Sequence, residues 1–240
     1  MQGDQQTMTL LQVEAGHWHG LDDAQLSQAF DWPRLQKGQT TALLLDWRRG
    51  PHMDRDAQRL TARRVLQQVL AAHLKVDPAF VIAERQAGQV PGWRIDGSAP
   101  PASGSSKDIG ISLSHDAGCS LLALRPHARL GVDLLRKRAW TGMLDVASLY
   151  LGPAALQRCQ DAMLAGPDLL ECQFASEWTR HEASLKCQGL ALTEWHPGLA
   201  RHTEVCTFAL DESWVASAAW RDDPGAPSQD LSENTARSSI

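Results

Sequence analysis

Asp133 closes the run Gly131-Val132-Asp133, and Glu182 stands four residues before Lys186 in Trp178-Thr179-Arg180-His181-Glu182-Ala183-Ser184-Leu185-Lys186. A hard divalent cation such as Mg2+ takes oxygen ligands and keeps several waters, so one or two carboxylates plus substrate phosphate oxygens suffice to hold it. Asp133 and Glu182 are the candidate metal ligands, and Lys186 adds a cation one helical turn from the second of them. Ser114-His115 supplies a hydroxyl and an imidazole that can donate to a phosphate oxygen. Each signal alone has an ordinary reading. An aspartate at a strand end accepts turn hydrogen bonds, a Glu/Lys pair at i, i+4 is a solvated ion pair of about 0.3–0.5 kcal/mol, and a lone histidine sits in a turn. The constellation points further, to metal-assisted phosphate-ester chemistry.

These residues need elements to hold them, and apolar runs alternate with helical patterns as a mixed α/β or α+β domain requires. Residues 41–47, 80–84, 119–124, 130–135, 205–210 and 214–220 read as strands. Ile109, Ile111 and Leu113 alternate with small residues up to Ser114-His115, and Asp116-Ala117-Gly118 turns that strand into a hairpin. Residues 54–74 read as a helix with Ala62, Val65, Leu66, Val69 and Leu70 on one stripe, and 143–149, 154–164 and 169–187 as three more. On the last, Phe174, Trp178 and Leu185 fall in one arc expected in the core, with Glu182 and Lys186 at its rim. Residues 97–108 are too rich in turn formers to pack. From Arg221 to the end, apolar content is so low that 221–240 read as a disordered tail.

Composition limits the functional classes. The 240 residues carry a net charge of −5, which argues against nucleic-acid binding by bulk phosphate attraction. No segment approaches the ~20 apolar residues a bilayer span needs, so the expectation is a cytoplasmic protein with no membrane partner. Five cysteines form no C-x-x-C pair and no zinc-type ladder, which predicts free, mostly buried thiols.

The motif Trp-Thr-x-x-Glu-Ala-x-x-Lys with Gly189-Leu190 after it, preceded by Gly131-Val132-Asp133 and Ser114-His115 in that order, resembles the 4′-phosphopantetheinyl transferases of the long, surfactin-synthetase-activating type. The resemblance spans roughly residues 43–210. It implies a pseudo-dimer of two similar α+β halves with the active site at the seam, here 1–126 and 127–220, in a monomer. It also implies transfer of the 4′-phosphopantetheine arm of coenzyme A to a serine of an apo acyl or peptidyl carrier protein, with Mg2+ on Asp133 and Glu182 and release of 3′,5′-ADP. By the same resemblance Glu182, Lys186 and His115 are catalytic, and Ser114, His115, His181 and Lys186 hold the diphosphate. Arg59, in Asp56-Ala57-Gln58-Arg59, matches the arginine that grips the 3′-phosphate, a task suited to a planar guanidinium.

The chain departs from the family pattern at three places. Leu135 stands where a second acid is common, His181 where a lysine is usual, and Gly88-Gln89-Val90-Pro91 where Gly-Lys-Pro is expected. Arg136-Lys137-Arg138 could compensate or meet an acidic helix of the carrier. Two alternatives stay open: a carrier-protein or coenzyme A binding module that has lost turnover, and another metal-dependent phosphoesterase.

Overall fold

A computed structural model describes residues 9–14, 39–48, 53–84, 92–96, 109–199 and 203–222. The fold is mixed α+β. Strand β1 (Thr9–Glu14) pairs in parallel with β2 (Thr41–Asp46), and β2 continues antiparallel through β6 (Cys119–Pro126) to β5 (Ile109–Asp116), giving the order β1-β2-β6-β5. β3 (Val81–Glu84) and β4 (Gly92–Ile95) form a separate two-stranded ribbon. A three-stranded antiparallel sheet joins β7 (Ala128–Arg136), β9 (Trp214–Asp222) and β8 (Glu204–Ala209) in the order β7-β9-β8.

All six residues of β2 are buried because both of its faces are covered, which is why it reads as a near-continuous apolar run. Leu43 and Leu45 meet helix α1 (Arg55–Leu74) through Ala62, Val65, Leu66, Val69 and Leu70, the stripe expected from its spacing. Ala42 and Leu44, with Leu121 and Ala123 of β6, share one apolar layer with Leu130, Val132 and Leu134 of β7 and with Trp214 and Trp220 of β9. α1 starts on Asp54, whose side chain accepts from Ala57 N–H, and stops at Lys75, which takes a left-handed conformation.

Three helices follow β7: α2 (Met143–Tyr150), α3 (Pro153–Ala165) and the long α4 (Pro167–Gln188). α2 and α3 pack on the first half of α4 through Met143, Ala147, Cys159 and Phe174. The second half of α4 lies on β7 and β9, where Ala183 and Cys187 meet Ala219.

The four expected helices and all seven expected strands are present, with ends moved by a residue or two, as fraying and capping commonly cause. β1, its parallel pairing and β4 are additions. The expected tail is corrected at its start, because Arg221 and Asp222 belong to β9 and Asp222 receives the Arg125 guanidinium at 3.2 Å. Residues 223–240, 97–108 and 88–91 lie outside the described residues. All five cysteines are free; three are buried, Cys206 is half-buried and Cys172 is exposed. Among the described residues no helix is long and apolar enough to cross a membrane.

Candidate active site

Alternation along β5 builds the first wall of the site. Its odd positions, Ile109, Ile111 and Leu113, turn toward the α1 core, while Gly110, Ser112, Ser114 and Asp116 form the opposite face, toward β7. Gly110 leaves no room for a side chain, since a Cβ there would come within 2.2 Å of the Ala128 carbonyl oxygen. The next three side chains tie the strands together. Val132 N–H donates to Ser112 Oγ at 2.8 Å, Ser114 Oγ donates to Asp133 Oδ1 at 2.8 Å, and Arg136 N–H donates to Asp116 Oδ2 at 2.8 Å.

The second wall is α4, brought down onto β7 at Gly131. A Cβ on Gly131 would fall 2.0 Å from the Ala183 carbonyl oxygen and 2.4 Å from Cys187 N, so glycine sets how closely helix and strand approach. From that contact Lys186 Nζ reaches Asp133 Oδ1 at 2.7 Å, the Val132 carbonyl at 3.1 Å and Ser114 Oγ at 3.3 Å. Glu182, one turn earlier, stays on the same side of the helix.

Between these walls and α1 opens a cleft of about 320 Å3, lined by Arg59, Ser114, His115, Asp116, Asp133, Leu135, Trp178, Glu182 and Lys186. Six of the seven residues expected at the site are therefore brought together: Asp133, Glu182, Lys186, Ser114, His115 and Arg59. Trp178, expected in the core, is half-buried and forms part of the cleft wall.

The electrostatics are uneven. Asp133, 6% exposed, spends Oδ1 on Ser114 and Lys186. Glu182 forms no ion pair or hydrogen bond among the described residues, and burial, reinforced by the Asp133 charge, pushes its carboxyl up despite the opposing pull of Lys186. Three carboxyl groups, those of Asp116, Asp133 and Glu182, therefore line the cleft together with the Lys186 ammonium, and carboxylate oxygens are the donor type a hard cation takes. Among the described residues no group of three or more His, Cys, Asp or Glu side chains could hold a metal, so an ion here would complete its shell with water and substrate oxygens.

His115 is held near α1. Burial first, and then the charges of Arg59, Arg63, Lys186 and Arg55, bring its pKa down to about 4, so the ring is neutral at pH 7. Among the described residues Arg59 makes only a 3.8 Å ion pair, with the almost fully exposed Asp56, a weak contact that a ligand could replace.

His181 does not join the site, contrary to the expectation that it holds the diphosphate. Its side chain, 9% exposed, lines a different cavity of about 290 Å3 with Arg158, Glu177, Trp195, Leu199 and Val205. The reason is helical: adjacent residues point about 100° apart, so His181 shares a face with Glu177 and Ser184 rather than with Glu182 and Lys186. Burial lowers its pKa. Arg48 is also committed elsewhere, to a two-pronged contact with Asp46 at 2.8 and 2.6 Å and to the Trp214 ring. Arg49 lies outside the described residues.

Asp116 and Arg63 were not among the expected residues, although Asp116 lines the cleft and the charge of Arg63 acts on His115. Asp116 could have been found by extending the alternation of Ser112 and Ser114 by two residues, which the turn reading obscured. No protein-family model matches the chain, and a search of curated proteins finds no match.

Proposed function

We propose that the protein transfers the 4′-phosphopantetheine arm of coenzyme A to a serine hydroxyl of an apo acyl or peptidyl carrier protein, with Mg2+ held by Asp133 and Glu182. One observation carries the reading. Asp133 from β7, Glu182 and Lys186 from α4, Ser114-His115 from β5 and Arg59 from α1 are far apart in sequence yet line one cleft, as the motif resemblance requires. Two sheets, each with a long helix on its outer face and the cleft between them, support the finer reading of a pseudo-dimer with the active site at the seam, in a monomer.

When bound, the ion would neutralise charge on the diphosphate. The Leu135 side chain offers no oxygen, so Asp133 and Glu182 would hold the ion with water making up the ligand that an acid at position 135 would supply. The serine oxygen attacks the β-phosphorus, the bond to the bridging oxygen breaks, and 3′,5′-ADP departs with that oxygen. Glu182, whose carboxyl is raised by burial, accepts the serine proton directly or through a water. Lys186 orients Asp133 and, with His115, offers hydrogen-bond donors where phosphate charge develops. Arg59, on the cleft wall, would take the 3′-phosphate.

The test is to incubate the full chain with coenzyme A, Mg2+ and a panel of apo carrier proteins and to weigh the carriers by mass spectrometry. A phosphopantetheine mass gain with wild type and none with Asp133→Ala is the expected result; carriers that stay apo with every member of the panel sink the reading. A second reading has its own observation: with Leu135 in the cleft and His181 facing away, two customary groups are missing, which favours a coenzyme A or carrier binding module without turnover. Binding without transfer would identify it, and a different metal-dependent phosphoesterase would neither bind nor consume coenzyme A.

A further inference from the structure

We infer that Ser120, held by Trp47, is a positioning residue that locks His115 in its Nε2–H tautomer, so that the cleft meets a ligand's anionic oxygen with a neutral N–H donor. Ser120 is fully buried on β6, directly opposite both Leu45 of β2 and His115 of β5. Its hydroxyl has two neighbours. Trp47 Nε1 lies 2.8 Å from Ser120 Oγ, and His115 Nδ1 lies 2.6 Å from it.

An indole N–H can only donate, so Trp47 occupies one lone pair of the hydroxyl. The serine proton then needs an acceptor, and among the described residues the one within reach is His115 Nδ1. Were Nδ1 protonated, two N–H groups would converge on one oxygen and the serine proton would be left buried without a partner, an arrangement folded proteins avoid. With Nδ1 accepting, the ring proton of the neutral imidazole resides on Nε2, the nitrogen left for whatever enters the cleft.

The surroundings agree. Arg55, Arg59 and Arg63 on α1 and Lys186 on α4 lie near the ring and disfavour an imidazolium, while Asp116, Asp133 and Glu182 share the cleft. A neutral donor flanked by cations suits an oxyanion and would serve poorly as a proton acceptor toward the cleft. His115 therefore holds charge by hydrogen bonding and does not act as the base, a role that rests with Glu182 under the proposed function.

Histidine-ring 15N NMR on the full chain at pH 7 tests this without any turnover assay, with His115→Gln used to assign the signals. The expected spectrum shows a protonated Nε2 and an unprotonated Nδ1 for His115, and Ser120→Ala moves both resonances toward averaged tautomers. A protonated Nδ1 in the wild type, or an imidazolium, overturns the inference whether or not the variant folds. The role within the transferase reading is then measured separately: Ser120→Ala lowers kcat/KM for coenzyme A by about ten- to hundredfold, and Ser120→Thr, which keeps the hydroxyl, restores it. A locked tautomer in a protein that transfers nothing would leave this inference standing and remove only the proposed function.

Discussion

Lys186 Nζ lies 2.7 Å from Asp133 Oδ1, so the helix cation pairs with a strand carboxylate rather than with Glu182 one turn away. That choice decides which acid is satisfied and which is not. The lysine side chain is 25% exposed and the aspartate side chain 9%, a pair largely removed from water whose value depends on both partners being present.

Lys186→Met is expected to cost about 3 kcal/mol, because it leaves Asp133 buried beside Glu182 without its paired ammonium. Adding Asp133→Asn should recover most of that loss, since the uncompensated charge is gone. Urea denaturation of the two single variants and the double variant forms a cycle; losses that merely add would show that the pair is not coupled.

Glu182→Gln has the opposite character. Removing a half-buried carboxylate that has no ion pair among the described residues should leave the protein as stable as wild type or stabilise it by up to about 1 kcal/mol, while the proposed transfer is lost. Mg2+ with coenzyme A should stabilise the wild type by about 2.7 kcal/mol at 100 times Kd, and the variant far less. Thermal shifts with and without Mg2+ check both halves, and an undiminished shift in the variant removes Glu182 from the proposed metal site.

What the chain disclosed about this site follows from the reach of each signal. Glu182 and Lys186 were legible because helical spacing fixes neighbours four residues apart, and Ser114-His115 because the alternation of Ile109, Ile111 and Leu113 sets the two faces of β5. The partner of Lys186 was not, because its selection depends on how closely α4 approaches β7 at Gly131, a tertiary quantity. His181 was misplaced by adjacency to Glu182, although the same helical rule sends it to the other face. The parallel β1–β2 pairing joins strands separated by residues 15–40, and no local pattern specifies such a crossover.

Gly131→Ala tests that approach directly. The new methyl would overlap the backbone of Ala183 and Cys187, neither of which can swing aside as a side chain end could, so α4 must move off β7. A loss of 1–3 kcal/mol or more is expected, about the cost of overpacking a core, together with a fall in transfer, because Glu182 and Lys186 move away from Asp133. A variant with wild-type urea midpoint and activity would mean that the glycine does not set the site's spacing.

His115 should make the protein sensitive to mild acid. Its folded pKa, about 4, lies below the ordinary 6.5, so between these values the unfolded chain binds more protons than the folded one. The stability tied to the neutral ring is present above pH 6.5 and is lost progressively as the pH falls toward 4. Burial lowers the pKa values of His73 and His181 too, so they add to the same slope. Glu182 works against it: its raised pKa gives stability below 4.5 that is lost as the pH rises through the folded value. The contribution of His115 is therefore read as a difference. His115→Gln should lose less stability than wild type between pH 7 and pH 5, by about 1 kcal/mol once the ring's partial exposure is allowed for. Urea midpoints across that interval make the comparison, and parallel curves for the two proteins would mean that His115 is not held neutral by its surroundings.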